Sequence, residues 1–382
     1  MVDRQFKAAV KAGGHPSLTA RPSQRFMLML SRIWAWVFLV LMVVFFVIAV
    51  SIVSRGAVDF LTLRNSQNIL VAITPVLLLG LGQTFVIMSA GIDLSVGWVM
   101  SLASVLSALA IRAAYDSGVP LFPSVVLGFA AAVAGACLVG FLNGVIIAKL
   151  KVPAFIVTLG SSFIVRGIAL LLSENTTVIG LPAGIRNYGN DALIYYIRGE
   201  GGGMYLLSRP EVTGDFLRRM DPILPYPVVV TAIVVAIAIF ILRKTQFGRH
   251  TYAIGGSLEA ALRTGIPVDR HIIQLYMLSA STAGIAGFLS TLRFTAGSAV
   301  IGDPLLLASI AAVIIGGVSL FGGAGTVMGT VIGALIIAVL TTGLVMLNVP
   351  AFWQFIVVGV VVIIAVLIDQ SRDLIIGRGR RG

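Results

Sequence analysis

Apolar residues along this chain fall into long runs separated by short polar clusters, with neither the one-sided stripe of a surface helix nor the alternation of a half-buried strand. A run of about 20 apolar residues crosses a bilayer as a helix. The pattern predicts ten such spans: Ile33–Val53, Asn68–Ser89, Leu94–Ile111, Pro123–Ala148, Pro153–Ser173, Pro225–Leu242, His271–Leu292, Ile301–Leu320, Thr326–Leu347 and Ala351–Ile368. One polar stretch, residues 174–224, is much longer than the other connections and holds Tyr188, Tyr195, Tyr196, Tyr205 and the run Gly201-Gly202-Gly203. The predicted fold class is an all-α membrane protein of about ten transmembrane helices.

Composition sharpens this. Of 382 residues, 58% are hydrophobic and 11% charged, against about 25% charged in soluble domains, too few to clothe a soluble surface. The 42 glycines lie inside apolar runs, where membrane helices accept them. The first run is too long for a signal-peptide core and lacks a good cleavage site, so it reads as a retained span. Residues 1–32 form a basic leader, 33–368 the membrane domain, and 369–382 a basic tail.

The net charge of +12 reflects basic residues at span ends, which fits an anionic inner leaflet better than nucleic acid. With both termini inside, inner segments hold seventeen Lys and Arg and outer segments nine, five of these in residues 174–224. That bias predicts cytoplasmic termini, an external 174–224 segment and a cytoplasmic 243–270 loop. The single Cys137 excludes an intrachain disulfide, and three scattered histidines give no metal-ligand spacing.

The two halves of the chain echo one another. Val152-Pro153-Ala154-Phe155 returns as Val349-Pro350-Ala351-Phe352, Gly140 and Gly144 return as Gly329 and Gly333, and Leu102-Ala103-Ser104 returns as Leu307-Ala308-Ser309. Ser89-Ala90-Gly91 likewise faces Thr295-Ala296-Gly297. The order is kept, so spans two to five match spans seven to ten. A shift of five spans reverses direction across the membrane, giving the inverted repeat of many transporters. Gly140 and Gly144, and Gly325, Gly329 and Gly333, fall at four-residue spacing and predict close helix packing.

No catalytic set is visible. There is no Walker A loop, no His-Glu-x-x-His and no Gly-x-Ser-x-Gly, so the chain reads as no enzyme, and ATP-driven transport would need a separate ATPase. The segment between spans six and seven is the most specific. Within it, Glu259-Ala260-Ala261 followed by Gly265 and Pro267 describes a short helix with a defined stop.

Glu259-Ala260-Ala261-x-x-x-Gly265 resembles the EAA motif of ABC importer permeases, whose loop docks on the ATPase. Gly248-Arg249-x-x-Tyr252-Ala253-Ile254-Gly255-Gly256 is similar to the ribose/xylose/galactose branch of those permeases. So are Gly91-Ile92-Asp93-Leu94-Ser95-Val96-Gly97 and the string from Ser309 through Gly316-Gly317 to Gly322-Gly323. The resemblance covers about residues 35–370. It implies a fold like that of vitamin B12-type permeases and a homo- or heterodimer. It also implies a cytoplasmic ATPase with two nucleotide sites, carrying ATP and Mg, and a periplasmic sugar-binding protein, with no cofactor on this chain. The expected location is the bacterial inner membrane. Gly248, Arg249, Glu259, Ala260, Ala261 and Gly265 are the expected coupling residues.

Polar residues in or near spans are candidates for the solute path: Gln83, Thr84, Asp93, Asn143, Arg166 and Asn348. Asp93 stands where two apolar runs meet, so it reads either as an N-cap before Leu94 or as a functional ionisable group at membrane depth. Each of the others serves sugar hydroxyls or ties helices together. The leading reading is a monosaccharide permease subunit. The alternatives are a branched-chain amino-acid or nucleoside permease, an ion-coupled secondary transporter, and a membrane enzyme.

Overall fold

The computed structural model describes residues 22–199, 202–206, 209–210, 214, 219–361 and 363. Its helices follow the apolar runs: α1 (Pro22–Val53), α2 (Leu63–Met88), α3 (Val96–Asp116), α4 (Leu121–Lys149), α5 (Ala154–Leu172), and a short α6 (Ile185–Asn190). After a small sheet come α7 (Tyr226–Lys244), α8 (Gln246–Gly256), α9 (Leu258–Arg263), α10 (Val268–Phe294), α11 (Asp303–Ile315), α12 (Val327–Met346) and α13 (Ala351–Val361). Eight of these are long and apolar enough to span a membrane. The eighth and tenth predicted spans correspond to the shorter α11 and α13. Thirteen residues make α11 about 20 Å long, short of the roughly 30 Å hydrocarbon core. A glycine-rich turn from 316 to 326 follows it, in which Gly325 has φ +146°. Gly325 therefore stands before α12, and only Gly329 and Gly333 share its face, correcting the three-glycine ladder. At the N-terminus α1 begins at Pro22, so the end of the basic leader is continuous with the first span. The rest of the leader and the 369–382 tail lie outside the described residues.

Local signals explain the helix starts. The Thr62, Thr245, Ser257 and Thr326 side chains each accept an N–H of the next turn, filling donors the helix leaves open. Pro120, Pro153, Pro225 and Pro267 precede others.

The predicted repeat has a backbone counterpart. Lys151 (φ +55°) and Asn348 (φ +56°), neither of them glycine, both adopt the left-handed conformation, and each leads into Val-Pro-Ala-Phe. The repeats interlock. α2 packs on α10, the first helix of each repeat on the other; α4 packs on α10 and α12 on α2, so each third helix crosses to the opposite first helix. The glycines allow this approach. A Cβ on Gly144 would stand 2.6 Å from the Ile273 Cα, and one on Gly140 would run into Tyr276 O and Ala280. The ladders are not used alike, however: Gly329 and Gly333 face Ala312 of α11 and Gly316 just past its end, within their own repeat.

Residues 174–224 fold into more than a loop. β1 (Ile194–Ile197) pairs antiparallel with β2 (Met204–Leu206) and β3 (Met220–Pro222), in the order β2-β1-β3. Asp221 is buried and held by Arg198 at 2.6 Å. Tyr195 is buried too, its hydroxyl accepting from Ala192 N at 2.9 Å, and burial pushes that phenol up to about 12. A bridge between Val178 and Gly297, with a bond from Asn190 Nδ2 to Arg293 O, docks the segment on the end of α10.

Candidate functional site

α2 stops at Met88, Ala90 turns left-handed (φ +63°), and α3 resumes at Val96. The intervening turn, 89–95, carries Asp93, which is 1% exposed. One carboxylate oxygen accepts the Ser95 N–H (3.0 Å) and hydroxyl (2.6 Å), and the other accepts the Ser279 hydroxyl of α10 (3.0 Å). Asp93 is therefore no interfacial cap before Leu94. The helix starts two residues later than that reading requires, Ser95 occupies the N-cap position, and the carboxylate reaches across to another helix.

Two more predicted residues meet there. Gln83 Nε2 donates to Asp93 O (2.5 Å), and Asn143 Nδ2 of α4 donates to Ser95 Oγ (3.1 Å). The neighbouring Ile92 carbonyl accepts from Tyr276 OH (3.3 Å, α10) and Thr158 Oγ1 (3.3 Å, α5). One turn thus ties α2, α4, α5 and α10 together. Among the described residues no Lys or Arg pairs with Asp93; neutral donors satisfy it, an arrangement whose partial disruption is costly inside a low-dielectric interior. Gln83 Oε1 has no partner among the described residues.

The other three candidates lie apart. Thr84 Oγ1 meets Thr330 Oγ1 at 2.6 Å, pinning α2 to α12. The Arg166 guanidinium sits 4.7 Å over the Trp98 ring on an exposed stretch of α5. Asn348 is the exposed left-handed residue that ends α12. The residues missed from sequence are Ser95 in the turn and Ser279, Tyr276 and Thr158, hydroxyls in apolar helices; the run Ser279-Ala280-Ser281-Thr282 is the one cue.

The 245–267 segment lies beside this junction. Ser257 caps α9, Gly265 (φ +78°) ends it, and Glu259 pairs with Arg263 at 2.5 Å on an exposed face. Ala260 is exposed, but Ala261 is buried with Ile254 and Val268, so only one of the two alanines faces outward. Leu258 and Leu262 are the exposed apolar residues of that face. Arg249 is exposed, whereas Gly248 is buried against the end of α7 and turns α8 back onto it.

α8 also grips the bundle. Tyr252 OH donates to Gly325 O (2.7 Å), and burial raises that phenol above its ordinary value. Gly255 packs so closely on Met88 O and Gly323 N that no Cβ fits, and Gly323 N donates to Met88 O (2.9 Å). The turn after α2 and the turn after α11 thus share one clasp.

A family model described as branched-chain amino acid transport system / permease component matches residues 65–366. The xylose transport system permease protein XylH of Haemophilus influenzae is 35% identical, over 84% of this chain and 92% of its own. The ribose import permease protein RbsC of Bacillus subtilis is 37% identical, over 85% and 91%. The fructose import permease protein FrcC of Rhizobium meliloti is 33% identical, over 85% and 83%. No solved structure matches. A bundle of membrane-length helices in interlocked repeats, a short-helix loop clasped to two turns at one end, and a match over most of the length lead to one assignment: the chain belongs to the family of branched-chain amino acid transport system / permease components.

Proposed function

We propose that this chain is the membrane-spanning subunit of an ATP-driven importer in the bacterial inner membrane, moving a monosaccharide or a related small polyhydroxy solute. The permeases it resembles over most of their length are named for xylose, ribose and fructose, and this supports a sugar over an amino acid. A periplasmic binding protein delivers the solute. A cytoplasmic ATPase with two nucleotide sites, which holds ATP and Mg, supplies the work, and a second permease chain completes the path. The basic end of the bundle is cytoplasmic, which puts residues 243–270 inside and the 174–224 sheet outside.

The observation that carries the coupling mechanism is the clasp. The exposed face of α9, with Leu258, Glu259, Ala260 and Leu262, is what the ATPase meets. A pull on it passes through α8 and Tyr252 to the turns after α2 and α11. Those turns hold the ends of two crossed helices, so moving them tilts both repeats. A neutral sugar needs no charge in its path, and tight binding is left to the delivery protein.

Reconstitution in proteoliposomes with a partner ATPase and a sugar-binding protein tests the reading. Labelled xylose, ribose or fructose is taken up only with ATP, and leucine is not. Uptake that continues without the ATPase and stops when the proton gradient is collapsed overturns the proposal. E259K or G265D abolishes uptake while the chain still inserts; full uptake in both removes the docking role of α9.

A further inference from the structure

A cavity of about 280 Å3 lies between α2, α3, α7, α10 and α11, apart from the Asp93 junction. Its walls are mostly aliphatic, with Val71, Pro75, Leu78 and Leu289 among them, and Arg293 and Phe294 also line it. α2 and α10 run antiparallel: Gly82 meets Thr282 and Ser279, and Gly91, just past α2, meets Tyr276. Val71 and Arg293 therefore share one end of the cavity, and Leu78 and Ala286 the other. Seven helical residues separate the ends, about 10 Å.

Few polar groups line this space, and most are already used. Ser290 Oγ donates to Ala286 O (2.8 Å) and Thr74 Oγ1 to Val71 O (2.9 Å). The Arg293 guanidinium differs. Among the described residues it has no carboxylate partner, and it stands 5.7 Å from the centroid of the Phe294 ring. Phe294 is exposed, as are Leu70 and Val300, next in the chain to the lining residues Val71 and Ile301. The charged end of the cavity thus borders apolar surface at a helix terminus, where a bilayer turns from hydrocarbon to headgroup.

We propose that this cavity anchors a phospholipid, with its phosphodiester on Arg293 and the upper part of one acyl chain along α2 toward Leu78. The cation and the apolar floor match a lipid's head and tail in kind and in order. Arg293 is half-buried, and a phosphate offers its guanidinium paired, charge-assisted hydrogen bonds. A monosaccharide fits this space poorly, because its ring of hydroxyls would face aliphatic carbon and lose hydrogen bonds that water supplies.

Native mass spectrometry of the full chain titrated with phosphatidylglycerol tests this. One lipid per chain is expected to persist after surrounding lipid is stripped. R293A weakens it about tenfold, R293K keeps most of it, and L305W, which fills the cavity from α11, removes it. Excess inorganic phosphate leaves the lipid in place. Displacement by inorganic phosphate would mean a simple anion site and would overturn the proposal. Binding unchanged in R293A or L305W overturns it as well. So does an equal loss in R112A, which changes an arginine at the same end of the bundle but outside the cavity.

Discussion

Asp93 takes its partners from its own protein: Ser95 and Ser279 present three donors to its two oxygens, which makes it a helix tie before it is anything else. D93A strands those donors in the interior, where each unpaired group costs about 1–3 kcal/mol. Its expected effect is a loss of at least about 2 kcal/mol, read as a lowered melting temperature in detergent. D93N keeps the side-chain volume and one acceptor; it should lower stability by about 1 kcal/mol and leave the transport KM unchanged. A large rise in KM without loss of stability would instead make Asp93 a solute contact. The sequence marked Gln83, Asp93 and Asn143 as polar residues at membrane depth. It did not mark that they share one junction, because Asp93 and Asn143 find their side-chain partners in serines whose burial depends on which helix face turns inward. Arg166 and Asn348 had the same polar signature and lie elsewhere, one over an indole and one in a turn.

Two kinds of glycine distinguish packed from open helix faces. Gly144 of α4 stands against the backbone of α10, while Gly160 of α5 has no heavy atom within 4 Å of where its Cβ would lie. G144L should destabilise the fold by about 1–3 kcal/mol or more through overpacking, and G160A should leave the melting temperature nearly unchanged; a thermal melt of both variants checks this. The clasp at α8 yields a third expectation. Y252F removes the bond to Gly325 O, with a net value of about 1 kcal/mol. Uptake should fall about fivefold while ATPase association is kept, so more ATP is hydrolysed per solute moved. Unchanged stoichiometry would take Tyr252 out of the coupling route. Helix stops such as Gly265 and caps such as Ser257 were legible in the sequence, since they act within one turn. The inward turn of Ala261 was not, because Ile254 and Val268 reach it from flanking segments.

The repeats lock α4 onto α10 and α12 onto α2, so the bundle behaves as two interleaved halves rather than a row of hairpins. Its sidedness can be read by labelling single cysteines in a C137A background. Cysteines at Lys151 and Glu259 should react only with reagent on the cytoplasmic side, and one at Tyr205 only from outside. Reaction of all three from one side would refute the arrangement. The positions of the apolar segments, the order of the repeat and the short helix ahead of α10 were determined by the sequence alone, because each rests on residues close together in the chain. Tertiary structure alone decided that α11 stops short of a full span and that a three-stranded sheet caps the far end. It alone also decided that the Asp93 carboxylate finds a donor 186 residues away. Those outcomes depend on which faces of distant helices meet, and a buried polar group takes its partner from whatever packing brings within reach.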